Sequence, residues 1–256
     1  MQLFRSLLFN AYLFASTPVF GLLIVLSAPL GYRVRFALAL GWARSNLWVL
    51  SKLCGLNYVV EGAENIPADN HISMWKHSSS WETIAQMTVF PPQSWVFKRE
   101  LMWLPFVGWA LRLMKPIAID RAAGHAAVNQ VLDQGKRLLD DGQWIVIFPE
   151  GTRMPAGQTR KYGISGALLA TETGRKIVPV AHDAGYYWPR RGLLKKPGTI
   201  RVVIGPPIEP TGKDARQLNE RVQTWIEATV ARLAATHPDQ GPLKRRGSRR
   251  RARSSR

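Results

Sequence analysis

A histidine and a glutamate stand five residues apart in the segment SMWKHSSSWETIAQ, residues 73–86. Neutral imidazole accepts a proton near pH 7, and a carboxylate bonded to its second nitrogen fixes the tautomer and stabilises the cation. His77 and Glu82 are therefore candidates for a general base and its orienting acid. On one helix, residues five apart point about 140° away from each other. The two can meet only if His77 ends a strand and Glu82 lies in the first turn of the next helix.

The same stretch also permits a purely structural interpretation. SSWE, residues 79–82, matches a capping box in which Ser79 is the N-cap residue and Glu82 returns a hydrogen bond from the third helical position. Spacing alone does not separate this cap from a catalytic pair. The three serines at 78–80 are rival nucleophiles, but no G-x-S-x-G elbow surrounds them, so we interpret them as turn and cap residues.

The elements that must position these residues alternate along the chain. After Gly55, short runs rich in Val and Ile and bounded by Gly, Pro, Asn or Asp predict strands. These runs are residues 57–62, 72–77, 94–99, 116–120, 144–149, 176–182 and 200–205. Helical spacing lies between them, at residues 81–89, 122–140, 164–173 and 214–235. The alternation predicts an α/β fold with a mixed, largely parallel sheet covered by helices.

Charged side chains gather in the loops that follow four of the predicted strands. The loop sequences are HSSSWE, KRELMWLPFVG, DR and EGTR, in chain order. All four carry a carboxylate, and three carry a basic side chain. Because ligands collect where the strands of such sheets end, the pattern predicts a site for a phosphorylated substrate with acid–base chemistry.

The N-terminus predicts membrane attachment. Residues 6–32 contain no charged side chain and are numerous enough to span a bilayer, although Pro18 would kink or break a helix there. A bent helix or a hairpin in one leaflet therefore fits as well. The second apolar stretch, 34–56, carries basic residues and is typical of an interfacial helix or of a buried helix with a solvated face. A signal peptide fits less well because the apolar run is too long.

Composition narrows the classes of partner. The 256 residues carry a formal net charge of +18, and residues 238–256 form a basic tail that we expect to be disordered. Such charge favours nucleic acid, anionic lipid or a phosphorylated substrate. The single cysteine, Cys54, excludes an internal disulfide and a thiolate zinc site, and the five histidines lack ligand spacing, so no metal is expected.

Four blocks in a fixed order resemble those of a known family. KHSSSWE (76–82) is similar to its His-x4-Asp block, KRELMWLPFVG (98–108) with IDR (119–121) to its second, and VPVAHDAG (178–185) to its fourth. FPEGTR (148–153) matches the third block outright. Over about residues 55–210 the chain resembles the glycerolipid acyltransferases, most closely the bacterial 1-acylglycerol-3-phosphate acyltransferases. We therefore expect membrane-associated helices over 1–54 and an acyltransferase domain over 55–237.

The resemblance implies transfer of a fatty acyl group from a thioester to the sn-2 hydroxyl of 1-acyl-sn-glycerol 3-phosphate, giving phosphatidic acid. His77 would be the catalytic base and Glu82 its partner. Arg153 would grip the phosphate, oriented by an ion pair with Glu150. The substrate-binding residues implied in this way are Lys98, Arg121, Glu150, Gly151, Thr152 and Arg153.

The resemblance also implies the surroundings of the reaction. No cofactor is needed, and acyl-CoA or acyl-acyl carrier protein is the co-substrate. The expected partners are a membrane lipid substrate, an anionic membrane surface and acyl carrier protein. The expected location is the bacterial inner (cytoplasmic) membrane, with the catalytic domain facing the cytoplasm, as the charges after the first apolar segment predict.

Two alternative functions stay open. The first is another lysolipid or glycerol-3-phosphate O-acyltransferase of the same family, because the blocks do not fix the acceptor. The second is a nucleic-acid-binding basic protein, which explains the tail but neither the apolar N-terminus nor FPEGTR, so nucleic acid is not an expected partner.

Two positions depart from the family pattern. Glu82 replaces the usual aspartate and is one methylene longer, so orientation should be kept while distances change. The fourth block reads AHDAG, and we expect His182 and Asp183 to shape the floor of the pocket rather than to act in catalysis. Backbone N–H groups near the start of the helix after His77 are the expected oxyanion donors.

Overall fold

The structure, a computed structural model, describes residues 1–120, 123–212 and 214–237. In this part of the chain the helices are α1 (Gln2–Leu26), α2 (Tyr32–Cys54), α3 (Trp81–Val89), α4 (Val107–Leu113), α5 (His125–Asp140), α6 (Ser165–Thr173), α7 (Ala184–Tyr187) and α8 (Ala215–Ala234). The strands are β1 (Leu56–Glu61), β2 (Ile72–Trp75), β3 (Gln93–Lys98), β4 (Ile117–Ile119), β5 (Trp144–Ile147), β6 (Ile177–His182) and β7 (Gly198–Ile204).

The described strands form one sheet in the order β1-β7-β6-β2-β5-β3-β4. Neighbouring strands run parallel except β6 and β7, which pair antiparallel. The predicted fold class, a mixed and largely parallel sheet covered by helices, is confirmed. Each predicted strand and helix corresponds to an element, whereas α4 and α7 were not predicted. The helical pattern of α4 is hard to recognise in the sequence because Pro105 and Gly108 favour a loop.

Side chains alternate between the two faces of the sheet, as extended backbone requires. In β5, Trp144 and Val146 join the buried cluster that includes α2 and α3. Ile145 and Ile147 join the second cluster, which includes residues of α5, α6 and α8. The sheet therefore has a hydrophobic core on both faces, which explains why its central strands are almost entirely apolar.

The N-terminal helices α1 and α2 form a hairpin. Pro18, which was expected to kink or break a helix, does not break α1, because the helix continues through it to Leu26. The chain turns at residues 27–31 instead, where Gly31 has a φ of 82°, a value that favours glycine. Among the described residues, α1 is the helix long and apolar enough to cross a membrane, by length and composition. The predicted tail, 238–256, lies outside the described residues.

Candidate active site

Adjacent parallel strands bring the sequence blocks together at the carboxyl-terminal ends of the central strands. The central strand β2 pairs with β5 on one side, with Met74 opposite Ile147, and with β6 on the other, with Trp75 opposite Val180. The loops after these strands therefore start side by side, although they lie far apart in sequence. His77 follows β2, FPEGTR follows β5, and the fourth block occupies β6. The second block follows β3, the next neighbour of β5.

His77 and Glu82 meet as an imidazole–carboxylate pair. Nδ1 of His77 lies 2.8 Å from Oε1 of Glu82. Because a carboxylate can only accept, Nδ1 carries the hydrogen and Nε2 is left with a lone pair. Glu82 is completely buried, whereas the ring of His77 reaches the wall of a cavity. This arrangement suits a general base, because one ring nitrogen is anchored by Glu82 and the ring lies at the wall of the cavity.

The predicted capping box is present in part: Glu82 accepts from the Ser79 amide as predicted, but the N-cap residue is Ser80, whose side chain makes no capping hydrogen bond. The helix α3 begins at Trp81, and Ser79 Oγ accepts a hydrogen bond from the Trp81 amide at 3.1 Å. The Glu82 Oε1 atom that holds His77 also accepts from the amides of Ser78, at 3.1 Å, and Ser79, at 2.9 Å. One carboxylate oxygen thus fixes both the helix start and the imidazole. The amides of Ser78 and Ser79 are occupied in this way, and binding of an oxyanion by amides near the start of α3 stays a prediction.

The protonation states of the pair suit a base at rest. Burial lowers the pKa of His77, and the Glu82 carboxylate offsets only part of that effect. Burial alone would raise the pKa of Glu82, but the hydrogen bond from His77 and further contacts outweigh it and hold the pKa below its usual range. A neutral imidazole beside an ionised carboxylate is therefore favoured near pH 7.

The FPEGTR loop wraps around His77. The ring of Phe148 stacks on the imidazole with the centroids 4.3 Å apart. The amide of Met154, directly after the loop, donates to the His77 carbonyl at 2.7 Å. Gly151 makes this path possible, because its φ of 65° is disfavoured for other residues. The loop therefore holds both the ring and the backbone of His77.

A mostly apolar cavity of about 340 Å³ opens beside His77. Its walls come from α1, α2, α3, β3 and the segment around α4, and its polar groups include His77 and Arg153. The Nε atom of Arg153 is buried and lacks a hydrogen-bond partner in residues 1–120, 123–212 and 214–237. A guanidinium at the wall of an apolar cavity, close to a histidine base, is suited to hold an anionic group of a ligand with an apolar tail.

Glu150 faces away from this cavity. The expected ion pair with Arg153 is wrong: Oε1 of Glu150 bonds Lys76 Nζ at 2.7 Å, and Oε2 accepts the His77 amide at 2.9 Å. Consecutive residues of extended backbone point to opposite faces of the sheet, so the side chain of Lys76 points away from the cavity that His77 lines. Glu150 bonds to Lys76 and therefore lies on that far side. Glu150 therefore contributes by holding His77 in place, not by contacting a ligand in the cavity.

Sequence reasoning missed a buried network behind His77. Lys76 Nζ also donates to Glu227 Oε1 on α8, at 2.9 Å, and the Tyr162 hydroxyl donates to the same oxygen at 2.7 Å. Burial raises the pKa of Glu150 to about 7, although Lys76 pulls it back. No sequence signal joins residues 76 and 227, because only the packing of α8 against the sheet makes them neighbours.

His182 and Asp183 lie behind the pair and do not line the cavity, so their expected place on the pocket floor is wrong. His182 Nε2 donates to the Lys76 carbonyl at 2.8 Å and lies 3.9 Å from Glu82 Oε2. Asp183 accepts the Arg201 amide at 2.9 Å and contacts His237 Nε2 at 2.9 Å. Both residues therefore connect the site to neighbouring elements.

The remaining predicted ligands are divided. Lys98 ends β3 with a side chain 52% exposed and pairs with Glu100 at 2.8 Å, outside the cavity lining. Gly151 and Thr152 are half-buried in the loop turn and also lie outside that lining. Arg121 lies outside the described residues. Of the predicted binding residues, Arg153 is the one that the described structure brings to the cavity with His77.

The fold and this pair of residues define an enzyme site on an acyltransferase-like scaffold, and comparisons with known proteins agree. The Acyltransferase family profile matches residues 57–183. The chain is 42% identical over 249 residues to a 1-acyl-sn-glycerol-3-phosphate acyltransferase of Pseudomonas aeruginosa, covering 93% of this chain and 97% of that protein. A mouse protein, 1-acyl-sn-glycerol-3-phosphate acyltransferase alpha, is 27% identical over 62% of this chain and 58% of its own.

A solved structure has the same fold. The crystal structure of the 1-acyl-sn-glycerophosphate acyltransferase PlsC from Thermotoga maritima aligns with a TM-score of 0.76 over 92% of this chain and 98% of that one, at 23% identity. With the Pseudomonas match, these findings establish that the chain belongs to the glycerolipid acyltransferase family. The apolar helix α1 and the family together indicate a membrane-associated protein.

Proposed function

We propose that this protein transfers a fatty acyl group from an acyl thioester to the sn-2 hydroxyl of 1-acyl-sn-glycerol 3-phosphate, giving phosphatidic acid. The observation that carries the proposal is the anchored His77–Glu82 pair at the wall of an apolar cavity that also presents Arg153. Its relatives bear the name of this activity. The cavity suits an acyl chain, the arginine suits a phosphate, and the histidine suits an alcohol that needs a base.

The chemistry follows from the geometry of the pair. His77 Nε2 takes the proton of the acceptor hydroxyl as the oxygen attacks the thioester carbonyl. Glu82 stabilises the imidazolium through the Nδ1 hydrogen bond. The tetrahedral adduct then collapses, the C–S bond breaks, and the leaving thiolate takes the proton from His77. The nucleophile belongs to the substrate, so no acyl-enzyme forms and no cofactor is required.

We further propose that the protein works at the bacterial inner membrane with its catalytic domain facing the cytoplasm. The hairpin supports a position in one leaflet, because Gln2 near the start of α1 donates to the carbonyls of Cys54 and Lys195, at 2.9 and 2.7 Å. The backbone of α1 also lies against Phe106 at Gly21, so the helix is held to the catalytic domain at its first turn and in its second half. The donor is acyl-CoA or acyl-acyl carrier protein, and an anionic surface would attract the basic chain.

The test is acyl transfer to a panel of acceptors presented in vesicles, with labelled acyl thioester. The panel contains lysophosphatidic acid, a zwitterionic lysolipid and glycerol 3-phosphate. We expect wild-type protein to acylate lysophosphatidic acid and His77→Ala to lose activity by about 10²- to 10⁴-fold. His125→Ala is the matched control, since that histidine is exposed at the start of α5.

The outcomes separate the alternatives. Transfer only to the zwitterionic lysolipid or only to glycerol 3-phosphate would replace the proposed acceptor by another of the same family. A folded His77→Ala protein with full activity would contradict the proposed base. Absence of transfer together with tight, salt-dependent binding of nucleic acid would support the nucleic-acid-binding alternative suggested by the net charge of +18.

A further inference from the structure

A short segment beside the cavity exposes an unusual run of large apolar side chains. Between residues 101 and 109, Trp103 is 77% exposed, and four more large apolar residues are exposed by 39–47%. These are Leu101, Leu104, Phe106 and Trp109. Exposed apolar residues are normal singly, but a cluster of this kind marks an interaction surface. We call residues 101–109 the apolar segment.

The apolar segment is built rather than loose. A side chain at Gly108 would place its Cβ 2.2 Å from the Met102 carbonyl oxygen, so only glycine permits this turn. Phe106 has a φ of 61°, a conformation that costs energy for a residue with a Cβ. The Arg112 guanidinium lies 5.9 Å from the Trp103 ring centre and donates to the Met102 carbonyl at 3.3 Å. The packing therefore holds these apolar side chains in the open.

The apolar segment adjoins the membrane-associated helix. A Cβ at Gly21 of α1 would lie 3.2 Å from the Phe106 carbonyl oxygen, so the two backbones are in close contact. On either side of Gly21, α1 exposes Val19, Leu22 and Leu23. Tryptophan beside arginine is a combination enriched where a protein meets the headgroup region of a bilayer. The exposed surface of α1 thus continues onto the apolar segment.

We propose that the apolar segment is a second lipid-contacting element, which inserts its aromatic side chains into the bilayer beside α1. The same stretch of chain walls the cavity, because Leu101, Val107 and Leu111 line it together with Phe20 and Ile24 of α1. An acyl chain can then pass from the bilayer into the cavity between α1 and the apolar segment without entering water. This role rests on the proposed function for its substrate, but lipid contact itself does not.

The first test measures lipid contact without activity. A cysteine replaces Trp103, or Ala68 as a matched control, and carries an environment-sensitive nitrobenzoxadiazole label. Ala68 is exposed in the loop before β2, at the amino-terminal end of that strand, away from His77. The native Cys54 is buried. With vesicles of equimolar phosphatidylcholine and phosphatidylglycerol, we expect a blue shift and brighter emission at 103 and neither at 68. Vesicle-bound protein with no change at 103 would overturn the proposal.

The second test separates lipid contact from catalysis. In Trp103→Gln/Trp109→Gln we expect about ten-fold weaker partition into the same vesicles and about ten-fold higher KM for a long-chain acceptor in the bilayer. Neither tryptophan lines the cavity, so kcat for a short-chain, water-soluble acceptor should be unchanged. Val59→Gln, at an exposed apolar residue of β1, is the control. Equal partition of the double variant and wild type would overturn the proposal, whereas an inactive wild type would instead overturn the proposed function.

Discussion

The two sides of His77 differ in the kind of side chain that surrounds the ring, apolar on the cavity side and polar on the side of the buried network. The cavity side is mostly apolar, and its polar groups include the His77 imidazole and the Arg153 guanidinium, whose Nε lacks a partner in the part of the chain that the structure describes. The network side is polar and buried, and there Lys76, Glu150 and Oε1 of Glu82 each make hydrogen bonds with the surrounding chain. An unpaired polar group in an apolar wall has a free energy cost that a ligand can relieve. The cavity side is therefore suited to bind a ligand, and the network side is suited to hold His77 in position.

This difference explains how a strand end can carry a precise catalytic group. The backbone of His77 is fixed by two hydrogen bonds, its amide to Glu150 and its carbonyl to the Met154 amide. Its ring is fixed by Glu82 and by stacking on Phe148. The contacts come from two separate stretches of chain, the start of α3 and residues 148–154, so the position of the imidazole does not depend on one flexible loop.

The largest expected effect comes from removing the negative charge of Glu82, which connects the buried network to the His77 ring at the cavity. In Glu82→Gln we expect kcat to fall by about 10²-fold or more, because the amide does not stabilise the imidazolium. The rate depends on neutral His77 and falls as pH drops through its pKa, which burial holds below the usual range. Since Glu82 raises that pKa, its loss should move the acid limb of kcat/KM to lower pH.

The control for this change is Glu64→Gln, which alters an exposed glutamate far from the pair. Both variants should keep the circular dichroism spectrum of wild type. An acid limb that does not move in Glu82→Gln would mean that the two residues are not electrostatically coupled, and the catalytic interpretation of the pair would fail.

A smaller effect is expected on the cavity side. Arg153→Ala should raise KM for a phosphate-bearing acceptor by about 10- to 100-fold, because a charge-assisted hydrogen bond is lost. Arg153→Lys should recover part of this, since lysine keeps the charge but not the paired donors. Initial rates over a range of acceptor concentrations provide the measurement. Lys98→Ala is the comparison, and we expect a smaller rise because Lys98 is exposed and paired with Glu100.

An equal rise of KM in Lys98→Ala and Arg153→Ala would break the comparison, because it would place the phosphate near the exposed end of β3. A rise confined to kcat in Arg153→Ala would instead assign the guanidinium to the transition state. In either case the cavity side would need a second cation to explain recognition of the acceptor.

The cavity side was more predictable from sequence than the network side. His77, Glu82 and Arg153 stand in short blocks whose spacing reflects local geometry, a strand end followed by a helix start or a tight turn. Lys76 and Glu227 are 151 residues apart, and their contact depends on how α8 lies across the sheet. Periodicity predicted that α8 is helical and has a buried face. It contains no information on which polar residue of α8 would meet which strand end.

The membrane-associated half shows the same limit. Composition predicted an apolar N-terminus, and the structure contains the hairpin that was one of the alternatives. The position of the turn was not predicted, because Pro18 is tolerated within α1 and Gly31 provides the turn instead. The helix α4 and the exposed residues before it were assigned to a loop, since the apolar segment lacks helical spacing and contains Pro105.

The smallest expected effect tests the network side through stability rather than rate. The pKa of Glu150 is raised to about 7 in the folded protein, mainly by burial. An acid with a raised folded pKa stabilises most below its unfolded pKa, near 4.3, and this contribution is lost as pH rises through about 7. Glu150→Gln should therefore gain stability relative to wild type across this window, by at most about 4 kcal/mol. Tm measured from pH 4.5 to 7.5 in both proteins tests the sign. Glu209→Gln is the control, because the exposed pair with Lys176 lowers the pKa of Glu209, so this residue titrates below the window and the variant should show no pH-dependent difference from wild type. If the difference between Glu150→Gln and wild type does not change with pH, Glu150 keeps its ordinary pKa, and Lys76 compensates its burial in full.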